Sequence, residues 1–264
     1  VVNYVVRRYD MGGSFGYDGT QSTKSWFGNH NVNGKLNFGK SEISFYYGTN
    51  QQYFEELWYK RTETFTFEDG SQYHRHQQTE PVYSKGYDGN GGFTYNLQDG
   101  NKYMLNITAK LNHGADPTRE EKGKLYTEEY PELVTDRIDM YHSSDFTPSL
   151  DIYYQRNLKN KQFLAFNAVG TYMRTTRQSQ YKEFLNNEPI VDYTSSVKGK
   201  KYSLIAEGIY EKSFANGGRL NTGIKHTQSY TNNLYDGTLF YHTRMRQVIS
   251  YGYVQYNGKW QKLR

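Results

Sequence analysis

The chain has 264 residues, 35% of them hydrophobic and 22% charged, with 28 Tyr, 14 Phe, 25 Gly, 5 Pro and a formal net charge of +5. A mean hydropathy of −0.95 would fit disorder, but disordered chains are poor in aromatics and this one carries 17%. The absence of cysteine excludes disulfides, thiolate metal sites and a cysteine nucleophile. The longest apolar run, Phe163-Leu164-Ala165-Phe166, falls far short of the ~20 residues of a membrane-spanning helix. A transmembrane β-barrel escapes that test, because its alternating strands raise mean hydropathy little. The opening Val1-Val2-Asn3-Tyr4 has neither Met nor a signal peptide, so the chain reads as a processed or excised segment.

In chain order, ten complete strands are expected at 11–21, 31–39, 42–52, 84–97, 102–113, 146–156, 161–173, 201–213, 219–230 and 245–256, with an eleventh opening at Lys259. Strict alternation carries the assignment. Tyr103, Leu105, Ile107, Ala109 and Leu111 share one face; Phe146, Pro148, Leu150, Ile152 and Tyr154 share another; so do Tyr202, Leu204, Ala206, Gly208 and Tyr210. No stretch has a helical period, so the chain is all-β.

Short turns are expected near residues 40, 100, 160, 217 and 258, where Gly, Asn-Gly and Asp-Gly supply positive φ. Between them lie long connections at about 22–30, 53–83, 114–145, 174–200 and 231–244. In an up-and-down meander every second connection emerges on the same side. One side short and the other long is the habit of outer-membrane barrels, whose strands need ~9–11 residues to cross. Phe38, Tyr95, Tyr103, Tyr154, Phe163, Phe214, Tyr256 and Trp260 sit beside the short turns, where an interfacial girdle would lie.

Charge is segregated: 114–145 carries a net −5 and 53–83 a net −3, leaving +13 on the rest. Such acidic loops could bridge lipopolysaccharide phosphates through divalent ions, although a solvated surface is the plainer reading. His74 and His76 could share a metal on one face of a hairpin turned by Glu68-Asp69-Gly70-Ser71, but no third ligand is apparent. Glu120-Glu121 and Glu128-Glu129 lack the spacing of a calcium loop. Gly86, Gly89, Gly91 and Gly92 lead into a strand rather than a phosphate-binding helix. His142-Ser143-Ser144-Asp145 looks a little like the His-x-Ser element of outer-membrane phospholipases, without a recognisable third group. No catalytic residue, metal site or cofactor is therefore expected. The basic residues behind a pI of 9.0 are scattered along the strands, which argues against nucleic acid.

The segment Val1-Val2-Asn3-Tyr4-Val5-Val6-Arg7-Arg8 resembles the end of the plug domain of TonB-dependent outer-membrane receptors, with Asn3, Tyr4, Arg7 and Arg8 at the matching positions. Gly12-Gly13-Ser14-Phe15-Gly16-Tyr17-Asp18 resembles the first barrel strand of that family, and the turn spacing is similar to its Bacteroidetes branch. The resemblance divides the chain into a plug end at 1–9 and the N-terminal part of a barrel at 10–264. Family barrels have about 22 strands, and this chain supplies roughly half. Almost all of the plug and any TonB box are missing, and Gln261-Lys262-Leu263-Arg264 lacks the terminal aromatic used in barrel assembly.

The resemblance implies a multi-pass protein of the cell outer membrane that imports a bulky nutrient: a glycan, peptide, siderophore or cofactor. Its partners would be outer-membrane lipid and lipopolysaccharide, the remainder of the barrel and plug, the TonB complex, and a candidate surface lipoprotein. If the apolar faces meet lipid, Lys35, Lys110, Asp151, Glu207 and Lys225 point into the lumen. The external loops at 53–83, 114–145 and 174–200 would shape the mouth, with Trp58, Tyr59 and Tyr53 as the stacking surface for ligand. The competing expectations are a non-transporting barrel that serves as a scaffold or surface-interaction protein, and a secreted carbohydrate-binding β-protein.

Overall fold

A computed structural model gives the structure over residues 11–24 and 26–258. Asn3, Tyr4, Arg7 and Arg8, Trp260 and the strand expected from Lys259 lie outside these described residues. Twelve strands and no helix are found among them: β1 (Met11–Gln21), β2 (Gly28–Phe38), β3 (Ser41–Leu57), β4 (Lys60–Thr66), β5 (Gln72–Thr79), β6 (Val82–Asp99), β7 (Tyr103–Thr127), β8 (Thr135–Leu158), β9 (Gln162–Leu185), β10 (Glu188–Ser213), β11 (Arg219–Gly237) and β12 (Tyr241–Asn257). All belong to one antiparallel sheet in the order β1-β2-β3-β6-β7-β8-β9-β10-β11-β12, with β4 paired to β5 and β5 to β7. The ten expected strands are all present, as is the hairpin turned near Asp69-Gly70, which is β4 and β5.

The short connections at 39–40, 100–102, 159–161 and 214–218 lie at one end of the sheet. Positive φ at Gly39 (54°), Gly100 (50°), Asn160 (59°) and Gly217 (83°) turns them.

The other end corrects the sequence reading. The stretches expected as loops are continuations of the strands. Residues 114–145 are the upper halves of β7 and β8 around a turn at 128–134; residues 174–200 are those of β9 and β10 around Asn186 and Asn187. Residues 53–83 form a prolonged, kinked hairpin: β3 runs on into β4, and β5 runs on into β6 across Glu80-Pro81. Both faces carry mostly polar residues there, so hydropathy no longer alternates, yet backbone pairing continues. β10 has 26 residues, far more than the ~9–11 that cross hydrocarbon.

Register decides which side chains share a face. One row reads Phe15, Gly34, Phe45, Phe93, Ala109, Leu150, Gly170, Leu204, Gln228, Val248 from β1 to β12. The row behind and one residue along reads Gly16, Asn33, Tyr46, Gly92, Lys110, Ser149, Thr171, Ser203, Ser229, Gln247. One face is thus apolar in nine of the ten strands, Gln228 on β11 being the exception, and the other is mostly polar at the same height.

Aromatics bound the apolar face on both sides. Phe38, Tyr95, Tyr103, Tyr154 and Tyr256 lie on it near the short turns, as expected, whereas Phe163 falls on the polar face opposite Glu211 and Asn157. A second border, which the sequence reading did not contain, runs through ring contacts of Phe146 with Tyr172 (6.4 Å), Tyr172 with Tyr202 (4.9 Å) and Tyr202 with Tyr230 (6.4 Å). It continues through Tyr47 and His113 (6.0 Å) to Tyr17 and His30 (6.2 Å). Tyr47 reaches His113 (2.9 Å) over β6, which is possible because Gly89 and Gly91 lie beneath; a Cβ on either would meet the Tyr47 side chain at under 3 Å.

The chain buries almost no apolar core. Val82, Leu125 and Ala165 are the buried hydrophobic residues among those described. The accessible surface is 19,214 Å², against about 12,000 Å² for a folded monomer of this mass. Just above the upper aromatic border, bulges at 54–57, 85–87 and 116–119 bend β3, β6 and β7 together. Beyond them, β5 takes over from β6 the edge of β7, pairing Thr79 with Gly123.

That docking depends on Gly123, where a Cβ would lie 2.5 Å from the Gln78 carbonyl oxygen and 3.0 Å from the Thr79 Cα. Gly123→Ala is expected to undock the β4–β5 hairpin at a cost of about 1–3 kcal/mol. Limited proteolysis would register this as preferential cutting within 58–81, and equal protection of both proteins would refute it.

Candidate functional site

The polar face of the sheet holds the candidate site, in two tiers. The lower tier lies level with the apolar band. All five residues expected to face a lumen share this face: Lys35 opposite Ser44, Lys110 between Gly92 and Ser149, Asp151 between Thr108 and Val169, and Glu207 opposite Lys225. Lys35 ion-pairs with Glu42 (2.8 Å), Asn96 donates to Glu42 (3.4 Å), Asn106 donates to Asn96 (2.5 Å) and Thr108 to Asn106 (3.2 Å). Amides on neighbouring strands thereby form a side-chain ladder across β2, β3, β6 and β7.

The upper tier lies beyond the bulges, where β4, β5, β7, β8 and β9 present the same face. Three Arg-x-acid triplets build it: Arg61 and Glu63 on β4, Arg119 and Glu121 on β7, Arg137 and Asp139 on β8. The two-residue period of a strand puts both charges of each triplet on one side. Register then aligns them, with Glu121 opposite Asp139 and Glu63 opposite Arg75.

Arg119 donates twice to Glu121 Oε1 (3.0 and 2.8 Å), and the Tyr59 hydroxyl donates to Glu121 Oε2 (2.8 Å). Arg137 Nη2 lies 3.5 Å from Glu121 and 2.5 Å from Asp139. Arg75 grips Glu63 through Nε and Nη2 (2.9 and 2.5 Å), and Arg61 bonds the other oxygen of Glu63. The Arg137 guanidinium also stacks over Tyr181, 5.4 Å from the ring centre.

Every buried polar residue among those described lies in or beside this tier: Gln77, Thr79, Glu121 and Arg137. Burial pushes the Glu121 carboxyl up, but the hydrogen bonds from Arg119 and Tyr59 and the nearby arginines outweigh it and hold the group below the usual carboxylate range. The Arg75 hydrogen bond does the same for Glu63. Burial and the Glu183 carboxylate push the Tyr181 hydroxyl up to about 12, so it stays protonated.

The three aromatics expected to form one ligand surface are divided. Tyr59 belongs to the upper tier. Tyr53 lies on the opposite face, donating to the Tyr83 hydroxyl (2.6 Å) with the rings edge to face. Trp58 is 61% exposed. The other constellations make contacts within the sheet. His142 donates to the Pro117 carbonyl and pins the β7 bulge, while Ser143, facing the other way, donates to Asp116 (3.2 Å). His74 and His76 contact Thr64 and Thr62 (3.1 and 2.9 Å) across the hairpin. Glu120 pairs with Lys122 (3.2 Å) and Glu128 lies 3.2 Å from His76. No group of three potential metal ligands occurs among the described residues. Gly86, Gly89, Gly91 and Gly92 lie inside β6.

Neither the family models nor the curated proteins nor the solved structures compared with this chain match it.

Glu121 and Glu63 titrate lower in the fold than in the unfolded chain. Their stabilisation is therefore complete above the unfolded value, about 4.3, and is lost as pH falls through the folded value. The protection factors of amides in 119–125 and 135–141 should fall below about pH 4 in the wild type, and Glu121→Gln should flatten that dependence. A profile identical in the two proteins would disprove it.

Proposed function

We propose that this chain is part of the wall and external mouth of an outer-membrane β-barrel that imports a bulky nutrient under TonB control. The observation that carries this reading is the predominantly apolar band that one face of the sheet keeps from β1 to β10 and, around Thr222, His226 and Gln228, across β11 to β12, bordered by aromatics above and below. Phe146 to Tyr154 on β8, and Tyr202 to Tyr210 on β10, each span nine residues, within the ~9–11 of a membrane-crossing strand. Water cannot favour such a band on a single-layer sheet, whereas lipid covers it at no cost.

Further features support the same orientation. Arg174, Lys200, Asn232 and Arg244 form one register row just above the upper aromatic border, at the height of headgroup and lipopolysaccharide phosphates. The short turns would face the periplasm and the prolonged hairpins the outside. Lys35, Lys110, Asp151, Glu207 and Lys225 would line the lumen against water or a plug. Among the described residues β1 and β12 each have one unpaired edge, and in lipid those edges would be closed by further strands of a larger barrel. The resemblance of Val1–Arg8 to a plug end favours a TonB-dependent receptor over a non-transporting scaffold. A surface lipoprotein could then cap the external hairpins.

Two experiments test this. Leu150→Arg, at the middle of the apolar face, should destabilise the folded protein in bilayers by about 2–4 kcal/mol, while Ser149→Arg on the other face should cost much less. Equal effects would remove the lipid-facing assignment. Uptake of candidate nutrients should vanish both in a deletion strain and in a strain lacking only TonB. Outer-membrane localisation with uptake intact in both strains would leave a scaffold.

A further inference from the structure

We propose that the cleft between Arg61, Arg119 and Arg137 binds a small anionic group, a carboxylate or phosphate, on a solute that reaches the mouth of the barrel. The inference builds on the reading of this face as the inner wall, and it names the chemistry of the ligand.

Arg137 carries the inference. It is 7% exposed, and its Nη2 is engaged by Asp139 and Glu121, yet its buried Nη1 has no partner. A guanidinium N–H left unsatisfied away from bulk water is costly, more so because the group is charged. The same guanidinium lines a cleft of about 370 Å³ together with Arg61, Arg119, Tyr59 and Tyr141. Three arginines line it against two carboxylates, Glu121 and Asp139, and both carboxylates are already bound by arginine. A cation would have to displace an arginine from its carboxylate. An anion meets the Arg61 and Arg119 guanidiniums at the rim, about half exposed at 55% and 51% and each bound to one carboxylate, with Arg137 and its unpartnered Nη1 lining the wall behind them. Planar guanidinium forks are suited to carboxylate and phosphate oxygens.

The test is calorimetric titration of the full chain in detergent micelles at low ionic strength with citrate, inorganic phosphate and, as a neutral control, maltose. Citrate or phosphate should bind once per chain and maltose should not; the stronger of the two anions identifies a carboxylate or a phosphate ligand. Arg137→Gln should weaken that binding about tenfold or more. Because removing a buried charge could loosen the hairpins, Arg61→Gln at the exposed rim is the second variant, expected to weaken binding several-fold with an unchanged circular dichroism spectrum. Failure of both anions to bind the wild type, or unchanged affinity in both variants, overturns the proposal. Anion binding without TonB-dependent uptake would uphold the site and discard the transporter. Uptake without anion binding would do the reverse.

Discussion

The structure rests on one constraint: a continuous antiparallel ladder with no second layer behind it. Soluble domains bury the apolar face of a sheet against another sheet or against helices. Here the register keeps Phe45, Phe93, Ala109 and Leu150 side by side on one face, and no part of the described chain folds over them. The backbone supplies cohesion and the surroundings must supply the cover. Hydrophobic burial, usually the largest driving force in folding, is therefore transferred from the interior of the protein to its contact with something else. The same constraint explains the glycines of β6. A single-layer wall has no core in which to place its rings, so Tyr47 lies flat across Gly91 and Gly89 to reach His113.

The strands then leave the apolar band without ending, and the physics that holds them changes. Within the band, one face is apolar and the other is laced by neutral amides around Lys35 and Glu42. Beyond the bulges neither face keeps an apolar stripe, and a bare hairpin of that length would be marginal in water. What replaces the band is charge: Arg-x-acid triplets on adjacent strands interlock, and β5 docks on β7 to bring Arg75, Glu63 and Gln77 into the same network. The sheet is one object held by two different means, and the line of bulges marks the exchange.

Alternation revealed the lower half of the sheet because one face there is mostly apolar and the other mostly polar. β1 has the expected bounds, and the five residues assigned to the polar face share it. The upper half was hidden because hydropathy stops alternating where both faces carry polar residues. Two signals remained in the residues. Asn186-Asn187, with φ of 51° and 67°, is a two-residue hairpin turn in the middle of what hydropathy suggested was a loop. Arg61-Thr62-Glu63, Arg119-Glu120-Glu121 and Arg137-Ile138-Asp139 repeat a spacing that makes sense only on strands. The grouping of Trp58, Tyr59 and Tyr53 failed for a related reason. Neighbours in a loop can converge, but Tyr53 and Tyr59 lie on either side of a kinked strand pair and face opposite ways.

The placement of buried charge has a further consequence. Desolvating an ion pair is costly, and an apolar contact of similar volume often serves stability as well or better. Yet Glu121 and Arg137, the buried charged residues among those described, lie in the outer hairpins rather than at the level of the apolar band. The arginines outnumber the carboxylates in that cleft and one guanidinium N–H is left over, so the arrangement is not the one that stability alone would select. A slightly positive recess built into these hairpins has its arginines held by Glu63, Glu121 and Asp139 before any ligand arrives. Preorganisation of that kind reduces the ordering cost of binding, and it gives a physical reason for the strands to continue past the apolar band.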